Sequence, residues 1–199
     1  MGGRTMTIQE LFITSNQALQ KVIAQITDDQ WELAMPPGSS SKPTKLGEAV
    51  CYHTYDDAWV PDVLAGKTKD EVGDVYEQLL TTGDIQKNYS EYNERAIAAV
   101  RDFDDLERTV HLSYGEFPAR DYLQHIISFR AFRSYDIAKL IGADTTMAPD
   151  FVQALLDEFS PVIEGYRQMG VFPPAVSVAD DASPQTKLLA MVGRDVSAA

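Results

Sequence analysis

Apolar positions along this chain recur mostly at helical spacing. Leu11, Leu19, Val22, Ile23 and Ile26 make one stripe. Thr7-Ile8-Gln9-Glu10 ahead of it is a capping box, whose hydroxyl and carboxylate satisfy free N–H groups at a helix start. The pattern predicts a first helix from there to about Thr27. Residues 36–43 concentrate Gly, Ser and Pro and predict a loop. A second helix is expected over 46–65, closed by Gly66, with Pro61 as a point of kink or restart. Thr68-Lys69-Asp70-Glu71 is a second capping box, followed by a broken polar stretch to Gly83. A third long helix is expected over 84–103, with Tyr92, Ala96, Ala99, Val100 and Phe103 on one side. Residues 108–117 alternate weakly around Val110, Leu112 and Tyr114, which fits an extended connection or a short strand pair. Pro118 suits the first turn of a fourth long helix running to Gly142. Pro149 opens a fifth helix, bent at Ser160-Pro161 and ended by Gly170. Phe172-Pro173-Pro174 begins an extended crossing, and Ser183-Pro184 opens a last short helix over 183–193. These elements predict one all-α domain over 1–199, an antiparallel helix bundle with extra short helices.

The fourth long helix breaks the rule that an inward face is apolar. At 3.6 residues per turn, Tyr122, Ile126, Phe129, Arg133 and Leu140 share a stripe. Leu123, Ile127, Ala131, Ser134, Ala138 and Ile141 make the stripe beside it, and Arg130 falls between the two. Gln124, Ser128, Tyr135 and Lys139 take the opposite side. A charge on an inward face must be paired or must line a cavity. Asp136, three residues from Arg133, is a ready partner. On the second helix Leu46, Val50, His53, Asp57, Val60 and Leu64 share one stripe, so His53 and Asp57 look inward together.

Composition narrows the classes. Hydrophobic residues make 44% of the 199 positions and charged residues 24%, ordinary for a globular chain. A net charge of −13 argues against binding nucleic acid through a basic face. No apolar run reaches membrane-spanning length. The start has neither a secretory core nor a myristoylation pattern, so a cytoplasmic protein is expected. Cys51 is the single cysteine, which rules out an internal disulfide. There is no Gly-rich phosphate loop, no HExxH, no CxxC and no Gly-x-Ser-x-Gly elbow. His111, in the extended segment, and His125, at the edge of the polar face, read as ordinary histidines.

Three stretches carry a resemblance. They are the His53 helix with Val63-Leu64-Ala65-Gly66 after it, Tyr135-Asp136-Ile137-Ala138-Lys139-Leu140-Ile141-Gly142, and the ending Lys187-Leu188-Leu189-Ala190-Met191-Val192-Gly193-Arg194-Asp195. In order and spacing the chain resembles the DinB/YfiT-like superfamily, in the branch that includes the N-terminal domain of mycothiol-dependent maleylpyruvate isomerase. The likeness spans nearly the whole chain and implies a DinB-like four-helix bundle, often a homodimer. It also implies a divalent metal such as zinc or nickel, held by one His on the second helix and by two ligands four residues apart on the later helix. His53 matches the first ligand. The Tyr135-Asp136 anchor puts the other two at Phe129 and Arg133. Phe has no donor atom, and Arg stays protonated and repels a cation. The resemblance therefore implies the fold with a degenerate metal site and no cofactor. Asp121 and His125 offer no rescue: His125 lies two turns from Arg133, about 12 Å along the axis.

The expected pocket is lined by His53, Asp57, Phe129, Arg130 and Arg133. One reading is a metal-free pocket for a small anionic or thiol-conjugated ligand, held by bidentate Arg contacts with His53 handling a proton. A second is a metal-dependent thiol transferase or isomerase of the family type. A third is a non-catalytic interaction protein in which Arg133 pairs with Asp57 or Asp136.

Overall fold

The computed structural model describes residues 5–36, 44–81, 83–194 and 196. The loop expected over 36–43 therefore lies outside the described residues except for Pro36, as does Asp195 of the closing motif. The described residues are mostly helical and fall into two compact units. The larger is Thr7–Met35 with Thr44–Asp144. The second takes in, of the described residues, 5–6, 36, 145–194 and 196.

The larger unit opens with α1 (Ile8–Ile23), started by the capping box: Thr7 Oγ1 accepts from Glu10 N at 3.2 Å, and Glu10 Oε2 accepts from Thr7 N at 2.9 Å. Helix α2 spans Leu46–Leu64, followed by the single turn α3 (Lys69–Val72) and the long α4 (Ile85–Arg101). Strands β1 (Thr109–Leu112) and β2 (Gly115–Pro118) pair antiparallel, and α5 (Ala119–Ile141) completes the unit. Helix α1 packs along both α5 and α4, and α2 packs along α4. Gln86 on α4 donates to the carbonyls of Ile23 and Ile26, closing the free end of α1 from across the interface.

Two stripes differ from their expected phase. On α4 the buried line is Tyr89, Asn93, Ala96, Ile97 and Val100, displaced from Tyr92 and Ala99. Asn93 can sit there because its amide donates to the Asn16 carbonyl of α1 at 3.2 Å. On α5, Gln124, Ser128 and Tyr135 are buried, so only Phe129 and Lys139 are exposed along the helix. A helix covered on nearly all sides shows no clean polar face, and Ser128 satisfies its hydroxyl on the His125 carbonyl at 2.6 Å.

The second unit contains α6 (Pro149–Phe159), α7 (Ile163–Gln168) and α8 (Pro184–Met191). The bend expected at Ser160-Pro161 is a full break between α6 and α7. Phe159, Tyr166 and Phe172 form its aromatic core. Gln185 ties α8 to the start of the unit, accepting from Met147 N and donating to the Thr145 carbonyl. Among the described residues no helix is long and apolar enough to cross a membrane.

Candidate functional site

Helices α2 and α5 meet through charge. Among the described residues Arg130 is the largest side chain wholly withdrawn from solvent. Its Nε and Nη2 donate to Asp57 Oδ1 at 3.2 and 2.8 Å, and Nη2 also donates to the His53 carbonyl at 3.1 Å. Its Nη1 donates to His53 Nδ1. Arginine has only donors, so that nitrogen must be unprotonated and the neutral ring keeps its proton on Nε2. Nη1 also lies 3.9 Å from Asp56 Oδ2. Asp57 is as fully buried as Arg130, and His53 is 8% exposed.

The electrostatics follow from this geometry. Burial, then the charges of Arg130 and Arg133, push His53 well below its ordinary value, so it is neutral. Burial works against the Arg130 charge, yet Asp57 and Asp56 outweigh it and hold the guanidinium protonated. Burial pushes Asp57 up and Arg130 pulls it back. Because Arg130 cannot give up its proton, Asp57 is the carboxylate of the pair. Enclosure pushes Asp56 up to about 6, against the pull of Arg130. Its side chain is nonetheless 46% exposed, and water along that open edge favours the charged form, which makes the rise smaller than enclosure alone gives.

Arg133 is placed differently. It pairs with Asp136 at 3.6 Å along its own helix and retains some exposure. Asp57 is therefore the partner of Arg130, and Asp136 that of Arg133.

Beside this cluster the larger unit holds a cavity of about 340 Å³. Helix α2 contributes Tyr55, Asp56, Trp59 and Val63 to its wall. Helix α5 contributes Tyr122, His125, Ile126 and Phe129, and the hairpin brings His111 and Tyr114. The walls are braced. The Tyr114 hydroxyl and His125 Nδ1 are 3.1 Å apart, and Phe117 packs against both rings. Trp59 stands edge-on between Tyr55 and Tyr76. Burial lowers the His125 pKa, with Asp121 opposing, so its ring is neutral near pH 7. His111 Nδ1 lies 3.1 Å from Glu116 Oε1.

Of the five residues expected to line a pocket, Phe129 lies on the cavity wall. His53, Asp57 and Arg130 are brought together behind the wall, and Arg133 pairs with Asp136 while its charge still reaches His53. Sequence reasoning missed Asp56, Tyr55, Trp59 and the two histidines. The signal for the first three was present: Tyr52, Tyr55, Asp56, Trp59 and Val63 recur at i, i+3, i+4, i+7 and i+11, a second stripe beside that of His53.

The donor set does not fit the divalent metal that the resemblance implies. The Nδ1 lone pair of His53 is taken by Arg130, and its Nε2 carries the proton. Phe129 has no donor atom, and Arg133 is a cation. Among the described residues no group of three or more His, Cys, Asp and Glu side chains could hold a metal ion. The chain matches no protein-family model, no curated protein and no solved structure.

Proposed function

We propose that this is a metal-free protein of DinB-like four-helix-bundle architecture that binds a small organic molecule in the cavity between α2, α5 and the hairpin. The bundle reading is supported by a closed circuit of long helices. Helix α1 lies against α5 and α4, α2 lies against α4, and Arg130 joins α5 to α2. In this reading the Arg130–Asp57–His53 cluster replaces the family's metal as the link between α2 and α5.

The observation that carries the binding reading is the cavity itself. Its volume falls within the range of small-molecule sites, and it combines aromatic walls with a few convergent polar groups. A small anionic or thiol-conjugated ligand drawn by Arg130 and Arg133 has less support, since both guanidinium groups already face carboxylates. A mixture of ring-bearing fragments should move the nuclear magnetic resonance signals of the Trp59 indole, Tyr122 and Phe129. Ile126→Trp, which fills the cavity, should suppress those movements while circular dichroism shows the helices retained. Fragment-induced shifts that survive in a folded Ile126→Trp variant would place the ligand elsewhere and overturn the reading.

A further inference from the structure

We infer that the ligand class of the cavity is a small organic cation, an ammonium group carried on an apolar body. This deepens the reading above and rests on the cavity being the ligand site.

The first argument is charge. Behind the wall stand one buried cation, Arg130, and one buried carboxylate, Asp57, and on the wall itself stands a second carboxylate, Asp56. Arg130 gives its short contacts to Asp57 and lies 3.9 Å from Asp56. The cluster therefore carries a net negative charge, and the carboxylate open to the cavity is Asp56. The histidines of the wall do not cancel it. His125 is neutral near pH 7, and His111 is matched by Glu116. Among the described residues Lys69 is the one lysine on the wall. It is exposed, so water screens its charge.

The second argument is the lining. Tyr55, Trp59, Tyr114, Tyr122 and Phe129 surround the same space as Asp56. Aromatic faces carry negative quadrupole potential and attract cations, and the attraction grows as water is displaced. A carboxylate would meet both those faces and Asp56. An ammonium group on an apolar body is drawn by the charge, the ring faces and the apolar surface together.

The probes are benzylamine, benzyl alcohol and benzoate, of similar size and differing in charge, titrated at pH 7.5 and followed at the Trp59 indole. Benzylamine should bind at least tenfold more tightly than benzyl alcohol, a difference of about 1.4 kcal/mol, with benzoate weakest. Asp56→Asn should bring benzylamine down to the level of benzyl alcohol. Asp56→Glu, which retains the charge, should keep the preference. Benzoate binding tightest, or a benzylamine preference that survives Asp56→Asn, would overturn the cation reading. In either case cavity signals that still move would leave the cavity as the site. If no probe moved any cavity signal, both the cation reading and the cavity site would be overturned.

Discussion

Arg130 tolerates complete burial because its donors meet acceptors on the facing helix, and that dependence is measurable. Arg130→Met should leave Asp57 as an uncompensated buried carboxylate and cost about 3–5 kcal/mol of unfolding free energy in urea titrations. Arg130→Met with Asp57→Leu should recover much of the loss, since apolar replacement of both partners is often neutral. Arg133→Met should cost less than Arg130→Met, because its contact with Asp136 is longer, lies within one helix and keeps some access to water. The sequence placed both arginines inward and offered Asp57 or Asp136 to Arg133; the structure gives Asp57 to Arg130 and leaves Asp136 to Arg133. Asp57 and Arg130 lie 73 residues apart on different helices, and only the packed helices choose between adjacent positions on α5. The cluster also sets a pH response. The folded His53 pKa lies well below 6.5, so below about pH 6.5 the unfolded chain binds a proton that the folded chain refuses. Stability from this group is full above that pH and falls by up to about 1.4 kcal/mol per unit below it. Asp56 acts in the opposite sense. Raised to about 6, it takes up a proton in the folded state between about pH 6 and 4, which adds stability as the pH falls. Its open edge makes that share the smaller one. The groups around Asp56 are Asp57 on its own helix, Arg130, His125 and Tyr122 from α5, His111 and Tyr114 from the hairpin, and Lys69 from α3. Asp57, also pushed up by burial, acts in the same sense as Asp56, so the His53 share is read as a difference: between pH 8 and 5 the urea midpoint of His53→Gln should fall less, or rise more, than that of the parent. An unchanged slope in His53→Gln would assign the response to another group.

Element boundaries were legible wherever a cap or a breaker marks them. Thr7, Thr68 and Ser183 accept bonds from N–H groups in their first helical turns. Gly142 closes α5 with φ of 73°. Pro61 was ambiguous and turns out to sit within the last turn of an unbroken α2. Only the Asp57 carbonyl loses an N–H there, and the helix ends before the loss is repeated. The stripes on α4 and α5 were harder to read. Their inward faces include Gln124, Asn93 and Ser128; Asn93 bonds to a backbone carbonyl of another helix and Ser128 to one of its own. Two glycines separate backbone conformation from side-chain space. A methyl group at Gly142 or Gly165 would meet nothing within 4 Å, so neither substitution is opposed by a clash. Gly142 has positive φ, and Gly142→Ala should cost about 1 kcal/mol through left-handed strain. Gly165 lies within α7 at ordinary helical φ, and Gly165→Ala should stabilise by about 0.5–1 kcal/mol. Thermal midpoints should move in opposite directions. Movement in the same direction would mean that contacts, rather than backbone conformation, control one of the sites.

At the scale of the molecule, helical periodicity was enough to find the long helices but not to show what holds α2 to α5. A local pattern carries the phase of each helix and says nothing about which residues of a distant helix it meets. The DinB-like reading is testable on this point, because it requires residues 53, 129 and 133 to converge. The charge of Arg133 is felt at His53, which supports their proximity. Phe129→Glu with Arg133→His would supply two new ligands four residues apart on α5, yet this double variant should bind no zinc. Arg130 would still occupy His53 Nδ1 and present its cation beside the new site. Adding Arg130→Met frees His53 and removes that cation, and Asp57 then offers a compensating negative charge nearby. The triple variant should be less stable without metal, since it loses the buried ion pair, and should regain stability as zinc binds the folded state selectively. Calorimetric titration should show one zinc per chain for the triple variant and none for the parent or the double variant. Thermal midpoints should rise with zinc for the triple variant alone. A folded triple variant that takes no zinc would mean that α2 and α5 do not bring these positions to a common point, and the DinB-like alignment of Phe129 and Arg133 would fall with it.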